Sequence, residues 1–185
     1  MDALEMTSLY NEACSEYDKG NYNVAFDAFY TLALEHDVSC QMNVANMLLH
    51  GIGTAKNVEK AHEWYKQAAY NDDRQAQHIY GWDCIDNEND EEGLKYIELS
   101  SNAGYTDAIS DLAAFYVHGI HSCDKDMKKA SKLYEKAVLL GKSEAMQELL
   151  YTKSIEIGKV RTTLYFLKNI FRFAKALGVK QDLGT

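Results

Sequence analysis

The stretch VANMLLHGI at residues 44–52 returns as LAAFYVHGI at residues 112–120. A second stretch, AHEWYKQA at residues 61–68, returns as ASKLYEKA at residues 130–137. The offsets, 68 and 69 residues, correspond to two periods of about 34, a length typical of repeats built from two helices. The intermediate copies are weaker, but each has a small residue, a large one at i+4 and a small or apolar one at i+7. This spacing places the three residues on one face of a helix. These sets are Ala25, Phe29, Leu32; Ala61, Tyr65, Ala68; Gly93, Ile97, Ser100; and Ala130, Tyr134, Ala137.

Each period therefore predicts a helix A, a turn and a helix B. Asn57 and Asp126 stand just before helix B at the same repeat position, and both are favourable N-cap residues. The chain contains no proline, which would interrupt helices. The predicted helices cover residues 3–19, 22–35, 39–50, 58–70, 74–86, 91–102, 106–118, 127–140, 143–156 and 160–177.

The segment LHGIG at residues 49–53, followed by KAHEWYKQAA at residues 60–69, resembles the signature of the Sel1-like repeat family. The copy from Tyr116 to Ala137 is less similar, because His121 stands where that signature has its second glycine. The first and third repeats have the shorter spacing of tetratricopeptide repeats. The resemblance implies an all-α, right-handed α-solenoid of about five helix-turn-helix repeats. It implies a repeat domain over residues 1–158 and a C-terminal capping helix and tail over residues 159–185.

The C-terminal segment is strongly amphipathic. Residues 157–181 carry six Lys or Arg residues and no carboxylate. Its apolar residues occupy one half of a helical wheel: Leu164, Phe166, Leu167, Ile170, Phe171, Phe173, Ala174 and Leu177. We interpret it as the element that covers the last repeat. A membrane-surface helix and a self-association or partner surface are the alternatives.

Charge restricts the class of partner. The net charge is −9, and because the C-terminal segment carries +6, the remainder carries −15. Such an acidic body repels nucleic acid and favours a basic protein surface. The acidic start of the chain lacks the basic region of a signal peptide, and the four scattered cysteines are read as reduced thiols. We therefore expect a cytoplasmic protein.

No pattern in the sequence demands catalysis or a cofactor. Phosphate-binding loops, nucleophile elbows and paired metal ligands are absent. His118, His121, Cys123 and Asp124 lie close together, but the spacing is not that of a structural zinc site, and we predict an ordinary loop. Secreted Sel1-like proteins described as β-lactamase-like carry a cysteine pair in each repeat, which this chain does not. We predict no catalytic residues, no metal and no cofactor.

The resemblance implies that the A helices line a concave binding face. We expect the aromatic residues there to anchor a partner, with Trp64 instead in the core. By repeat register the face would carry Tyr10, Cys14, Tyr17, Met42, Asn46, His50, His78, Trp82, Asp86, Ser110, Ala114 and His118.

The sequence thus predicts a non-enzymatic protein that binds another, basic protein. Two roles fit this description: a bacterial adaptor or regulator, and an immunity protein that neutralises a toxin. The alternatives are a membrane-peripheral scaffold that uses the C-terminal helix and a hydrolase of the β-lactamase-like type. Oligomers through the C-terminal helix are a further possibility, whereas nucleic acid is not an expected partner.

Overall fold

A computed structural model describes residues 1–178, and within that range the regular structure is entirely α-helical. The prediction of an all-α repeat protein is confirmed, and most helix ends fall within one residue of the predicted ones. The helices are α1 (Ala3–Asp18), α2 (Tyr22–Leu34), α3 (Val38–His50), α4 (Val58–Tyr70), α5 (Arg74–Asp86), α6 (Asp90–Asn102), α7 (Thr106–His118), α8 (Met127–Leu139), α9 (Ala145–Ile157) and α10 (Lys159–Ala176).

The chain divides into two compact units, Met1–Asp83 and Cys84–Thr185. In the N-terminal unit, α1 packs on α2, α2 on α3 and α3 on α4. In the C-terminal unit, α6, α7, α8 and α9 pack in the same consecutive manner, and α10 packs on both α9 and α8. The division into a repeat domain over residues 1–158 and a cap over 159–185 stays a prediction, and its last seven residues lie outside the described range.

The small and large residues of the repeat form the core. Ala25, Ala61, Ala68, Ala130 and Ala137 are fully buried. The large partner in each set is buried beside them, with Phe29 at 3%, Tyr65 at 2% and Tyr134 at 5% exposure. A small residue lets neighbouring helices approach closely and the large one fills the adjacent space, so the periodic pattern in the sequence is the packing pattern of the fold.

The long loops between helix A and helix B close through left-handed residues. α3 and α7 end at Gly51 and Gly119, with φ of 70° and 68°. Asn57 and Asp126 then cap the following helices, as predicted. Hydrogen bonds from the Lys129 and Lys128 backbone N–H groups lower the pKa of Asp126.

Gly53 and His121 occupy the same position in the two long loops, but each loop packs on the neighbouring helix in a different way. Gly53 has φ of 69°, and a Cβ there would lie 2.1 Å from the carbonyl oxygen of Tyr22. His121 also has a positive φ, 51°, but its Nδ1 lies 3.0 Å from Oδ1 of Asp90, at the position equivalent to Tyr22. Its ring packs edge-to-face on Phe115, with centroids 4.7 Å apart. The histidine therefore replaces a backbone contact with side-chain contacts.

Helix α10 is held on the C-terminal unit by its buried residues, an ion pair and a cation–π contact. Phe173 and Thr162 are 3% and 5% exposed, and Arg172 Nη1 lies 3.1 Å from Glu135 Oε1. The Lys153 ammonium lies 5.0 Å from the centre of the Tyr165 ring.

Glu156, on α9, has a lowered pKa. Glu156 accepts hydrogen bonds from the Ser131 hydroxyl and, at 3.1 Å, from Lys153 Nζ. Burial alone would raise the pKa of Glu156, but these two donors outweigh it and lower the pKa.

All four cysteines lie within the described residues, and no disulfide bond occurs there. Burial raises the pKa of the Cys40 and Cys123 thiols, which keeps them protonated and unreactive.

Candidate functional site

A groove of about 480 Å³ runs between α1 and α3 in the N-terminal unit. It brings together five residues of the predicted binding face: Tyr10, Cys14, Tyr17, Asn46 and His50. The groove is completed by Asp18, Phe29, Asn43, Met47 and Ile52.

Helical spacing explains why these residues share one groove. Residues 10, 14 and 17 of α1 follow an i, i+4, i+7 pattern, and residues 43, 46, 47 and 50 of α3 follow a similar one, so each set lies on one face of its helix.

Neighbouring aromatic rings fix the tyrosines of the groove. The ring of Tyr10 packs on Phe29 with centroids 6.0 Å apart, and that of Tyr17 packs on Tyr22 at 5.0 Å. Both contacts are edge-to-face, the geometry that aromatic pairs favour. A partner would thus meet tyrosines that are already positioned.

A buried tyrosine orients the amide of Asn46. The hydroxyl of Tyr65, on α4, donates a hydrogen bond of 2.8 Å to Oδ1 of Asn46. This bond fixes the orientation of the Asn46 amide, whose NH₂ group can donate to a ligand.

The groove combines apolar surface with polar groups and contains no Lys or Arg side chain. Asp18 contributes a carboxylate, and Asn43, Asn46 and the tyrosine hydroxyls contribute neutral donors and acceptors. The adjacent Cys14 and burial raise the pKa of Tyr10, so its hydroxyl stays protonated. This chemistry suits a ligand with cationic and hydrogen-bonding groups.

The other predicted face residues are placed differently. Met42 is only 8% exposed and belongs to the core, so it offers almost no surface to a partner. On α5, the Trp82 indole N–H donates a 3.2 Å hydrogen bond to His78 Nε2, and both side chains are partly exposed.

Four more of the predicted residues lie in the C-terminal unit, and one of them, Ala114, is partly exposed. Asp86 and His118 are exposed at the ends of α5 and α7. The Ser110 hydroxyl donates to the Thr106 carbonyl of its own helix, at 3.0 Å.

Sequence reasoning missed a second, larger groove in the N-terminal unit. It has a volume of about 800 Å³ and lies chiefly along α2 and α4, with the rings of Tyr30 and Trp64 in edge-to-face contact at 5.6 Å. Trp64 was expected in the core from its place in the repeat, but it is partly exposed. Four charged residues of both signs, Asp27, Lys60, Glu63 and Lys66, also line this groove. The signal available in the sequence was the aromatic pair Phe26 and Tyr30 on the exposed side of helix B.

Among residues 1–178, no group of three His, Cys, Asp or Glu side chains is arranged to hold a metal ion. The loop of His118 and His121 is an ordinary closure in which His121 contacts Asp90. None of the helices described in the structure has the length and apolarity needed to cross a membrane.

Comparisons with known proteins agree with this architecture. The Sel1 repeat family model matches residues 38–73 and 106–142, which contain α3–α4 and α7–α8. No curated protein sequence matches significantly.

Among solved structures, the chain is similar to a protective antigen of uropathogenic Escherichia coli strains that displays an SLR fold. The TM-score is 0.73 at 19% identity, over 92% of this chain and 38% of the antigen, so this chain spans little more than a third of its length. A Sel1 repeat protein from Oxalobacter formigenes has a TM-score of 0.73 at 24% identity, over 92% of this chain and 70% of that one. The MamA protein has a TM-score of 0.54 at 17% identity, over 97% of this chain and 98% of that one.

Proposed function

We propose that this chain is a non-enzymatic protein that binds a basic protein partner through the groove between α1 and α3. Its all-α fold and the two segments that match the Sel1 repeat model support this proposal. The observation that carries the proposal is the convergence of Tyr10, Tyr17, Asn46 and His50 on one groove. Tyrosines provide large, rigid contact area and a polar tip, which is why they recur at binding hot spots.

Charge favours this groove over the larger one between α2 and α4. The α1–α3 groove holds Asp18 and no Lys or Arg, whereas the α2–α4 groove mixes two acids with two lysines. The acidic remainder of the chain would attract a basic partner over long range. Short-range contacts with Tyr10 and Tyr17 would then hold it.

The partly exposed pair of His78 and Trp82 is a second contact point in this proposal. Asp86, Ser110 and His118 belong to the C-terminal unit and are proposed as contacts of that unit alone. Localisation in the cytoplasm, where thiols stay reduced, accords with four cysteines that form no disulfide.

Photo-crosslinking tests the site directly. A benzophenone amino acid is placed at Tyr17, which is 37% exposed in the groove, in cells that normally make the protein. Two matched positions serve as controls: Tyr30, in the α2–α4 groove, and Tyr151, which is 52% exposed on α9. We expect a basic protein to be captured from position 17 and not from the other two. Capture of the same protein from position 30 or 151 alone would place the binding site elsewhere.

The affinity for the captured protein then measures how much Tyr17 contributes to binding. For the captured protein, Tyr17→Ala should weaken binding by about 2 kcal/mol, roughly thirtyfold, whereas Tyr151→Ala should leave the dissociation constant unchanged. Equal effects of the two variants would show that Tyr17 is not an anchor.

The adaptor and immunity roles separate in a simple growth assay. The captured partner is expressed alone and together with this chain. Toxicity that disappears on co-expression identifies an immunity protein; a harmless partner identifies an adaptor or regulator.

A further inference from the structure

The face at the C-terminal end of the described chain is apolar and uncovered. Although α10 buries Phe173 and Thr162 against α9 and α8, it leaves Leu164, Leu167 and Ile170 at 54%, 62% and 53% exposure. A groove of about 460 Å³ lies between α9 and α10, and all its lining residues are apolar or threonine: Met146, Leu150, Thr162, Thr163, Phe166, Leu167, Ile170, Phe173, Ala174 and Leu177. A helix that seals a repeat array normally presents a polar outer face, which α10 does not.

The rim of this face is basic. α10 contains five Lys or Arg residues and no carboxylate. Arg172 pairs with Glu135, whereas Lys168 and Lys175 are exposed, and Lys168 lies one helical turn after Leu164. A partner for this face should therefore combine an apolar surface with carboxylates.

The face at the N-terminal end has the complementary chemistry. A groove of about 270 Å³ is formed by α1 and α2 alone, and it is lined by Leu9, Glu12, Ala13, Glu16, Val24, Asp27, Ala28 and Thr31. Three carboxylates and no Lys or Arg line it, and Val24 is 45% exposed. Glu16 pairs with Lys19, whereas Glu12 and Asp27 are exposed. Residues 1–31 as a whole hold six Asp or Glu residues and one lysine.

We propose that the occupant of the basic C-terminal face is the acidic N-terminal face of a second copy of this chain. Helical repeats bury their apolar faces by stacking on a neighbouring repeat. A head-to-tail contact continues this stacking from one molecule into the next, with Glu12 and Asp27 placed opposite Lys168 and Lys175. Because the two faces differ, the contact is heterologous and leaves one face of each kind open for further copies.

Two other occupants account less well for the two faces. A symmetric contact between two α10 helices would bring basic rim against basic rim, and like charges across an interface are costly. An anionic membrane surface would match the rim, but it would leave the acidic apolar groove of α1 and α2 unexplained.

Charge-swap variants of the full chain separate these cases. Variant C carries Lys168→Glu and Lys175→Glu, and variant N carries Glu12→Lys and Asp27→Lys. All four side chains are exposed, so both variants should keep the wild-type circular dichroism spectrum. The control, Lys125→Glu with Lys132→Glu, makes the same change in net charge as variant C, at exposed positions that line neither groove.

Sedimentation velocity over a series of protein concentrations gives the readout. We expect the wild type and the control to form larger species as concentration rises. Variants C and N alone should each associate at least about tenfold more weakly. An equimolar mixture of C and N should assemble again, because each then meets a face of opposite charge.

Several results would overturn the head-to-tail contact. The first is a wild type that stays monomeric throughout, with or without binding to vesicles of anionic phospholipid. The second is variant N assembling like the wild type, which would indicate the symmetric α10 contact. The third is a mixture no more associated than its components. None of the four substituted residues lines the α1–α3 groove. A loss of self-association in these variants is therefore distinguishable from a loss of partner binding.

Discussion

Replacing Gly53 with alanine should destabilise the protein far more than an alanine in a loop normally does. The residue has φ of +69°, a region in which a Cβ costs about 1 kcal/mol. The added Cβ would also lie 2.1 Å from the Tyr22 carbonyl oxygen and 2.3 Å from its carbon, far inside van der Waals contact. Both obstacles are backbone atoms, so relief requires the loop to move away from α2. We expect a total loss of about 3 kcal/mol in the free energy of unfolding.

Gly20 supplies the matched control. Its φ is +84°, but a Cβ there meets no atom within 4 Å, so Gly20→Ala should cost only the conformational penalty of about 1 kcal/mol. Urea unfolding followed by circular dichroism measures both variants. If Gly53→Ala costs no more than Gly20→Ala, the loop does not pack on Tyr22 as described, and the explanation of the glycine at this repeat position is wrong.

Three further substitutions test the site and the C-terminal helix. Tyr65→Phe removes the hydroxyl that holds Asn46 at 2.8 Å and should lower the free energy of unfolding by about 1 kcal/mol in urea titrations; an unchanged midpoint would contradict the bond. Phe173→Ala should cost about 3 kcal/mol, because this residue is 3% exposed; a negligible cost would show that α10 does not stabilise the unit. The pKa of Glu156 is lowered in the folded state, so the ionised carboxylate stabilises the fold. This stabilisation is fully present above the unfolded glutamate pKa of about 4.3, and it is lost as the pH falls through the lower folded pKa. Glu156→Gln should therefore show a smaller loss of stability than the wild type over that acidic interval, and parallel pH profiles would refute the assignment.

The helices could be predicted from the sequence because local signals and packing signals coincide. Ala61, Tyr65 and Ala68 have the spacing of a helix face, and the structure buries all three. Asn57 ahead of them is both a favourable N-cap in isolation and the observed cap. Where propensity, spacing and capping agree, little is left for tertiary context to change.

The binding face could be predicted only in part, because repeat register does not fix side-chain direction. Met42, Asn46 and His50 are separated by four residues each, and each such step turns the helix by about 40° beyond a full turn. The three side chains therefore spread over an arc. Met42 is buried, Asn46 is intermediate and His50 is exposed. Predicting the burial of Met42 would have required knowledge of the neighbouring helices.

The loop of His121 shows a second limit to what the sequence can predict. A non-glycine residue at positive φ is unfavourable locally, and nothing near it in the sequence indicates what compensates. The compensation comes from Asp90, 31 residues away, and from the ring of Phe115. The sequence identifies the departure from the repeat signature, whereas only the fold supplies the partner that makes it tolerable.

Helix α1 serves both surfaces proposed for this protein, and its geometry keeps them separate. Tyr10, Cys14 and Tyr17 face the α1–α3 groove, whereas Leu9, Glu12, Ala13 and Glu16 face the outer groove with α2. The two sets interleave in sequence but occupy different sides of the helix, because neighbouring residues are rotated by about 100°. A copy docked on the outer side would leave Tyr17 accessible to a partner. Assembly would therefore place several partner-binding grooves on one particle, and the avidity of such an array would exceed the affinity of a single groove.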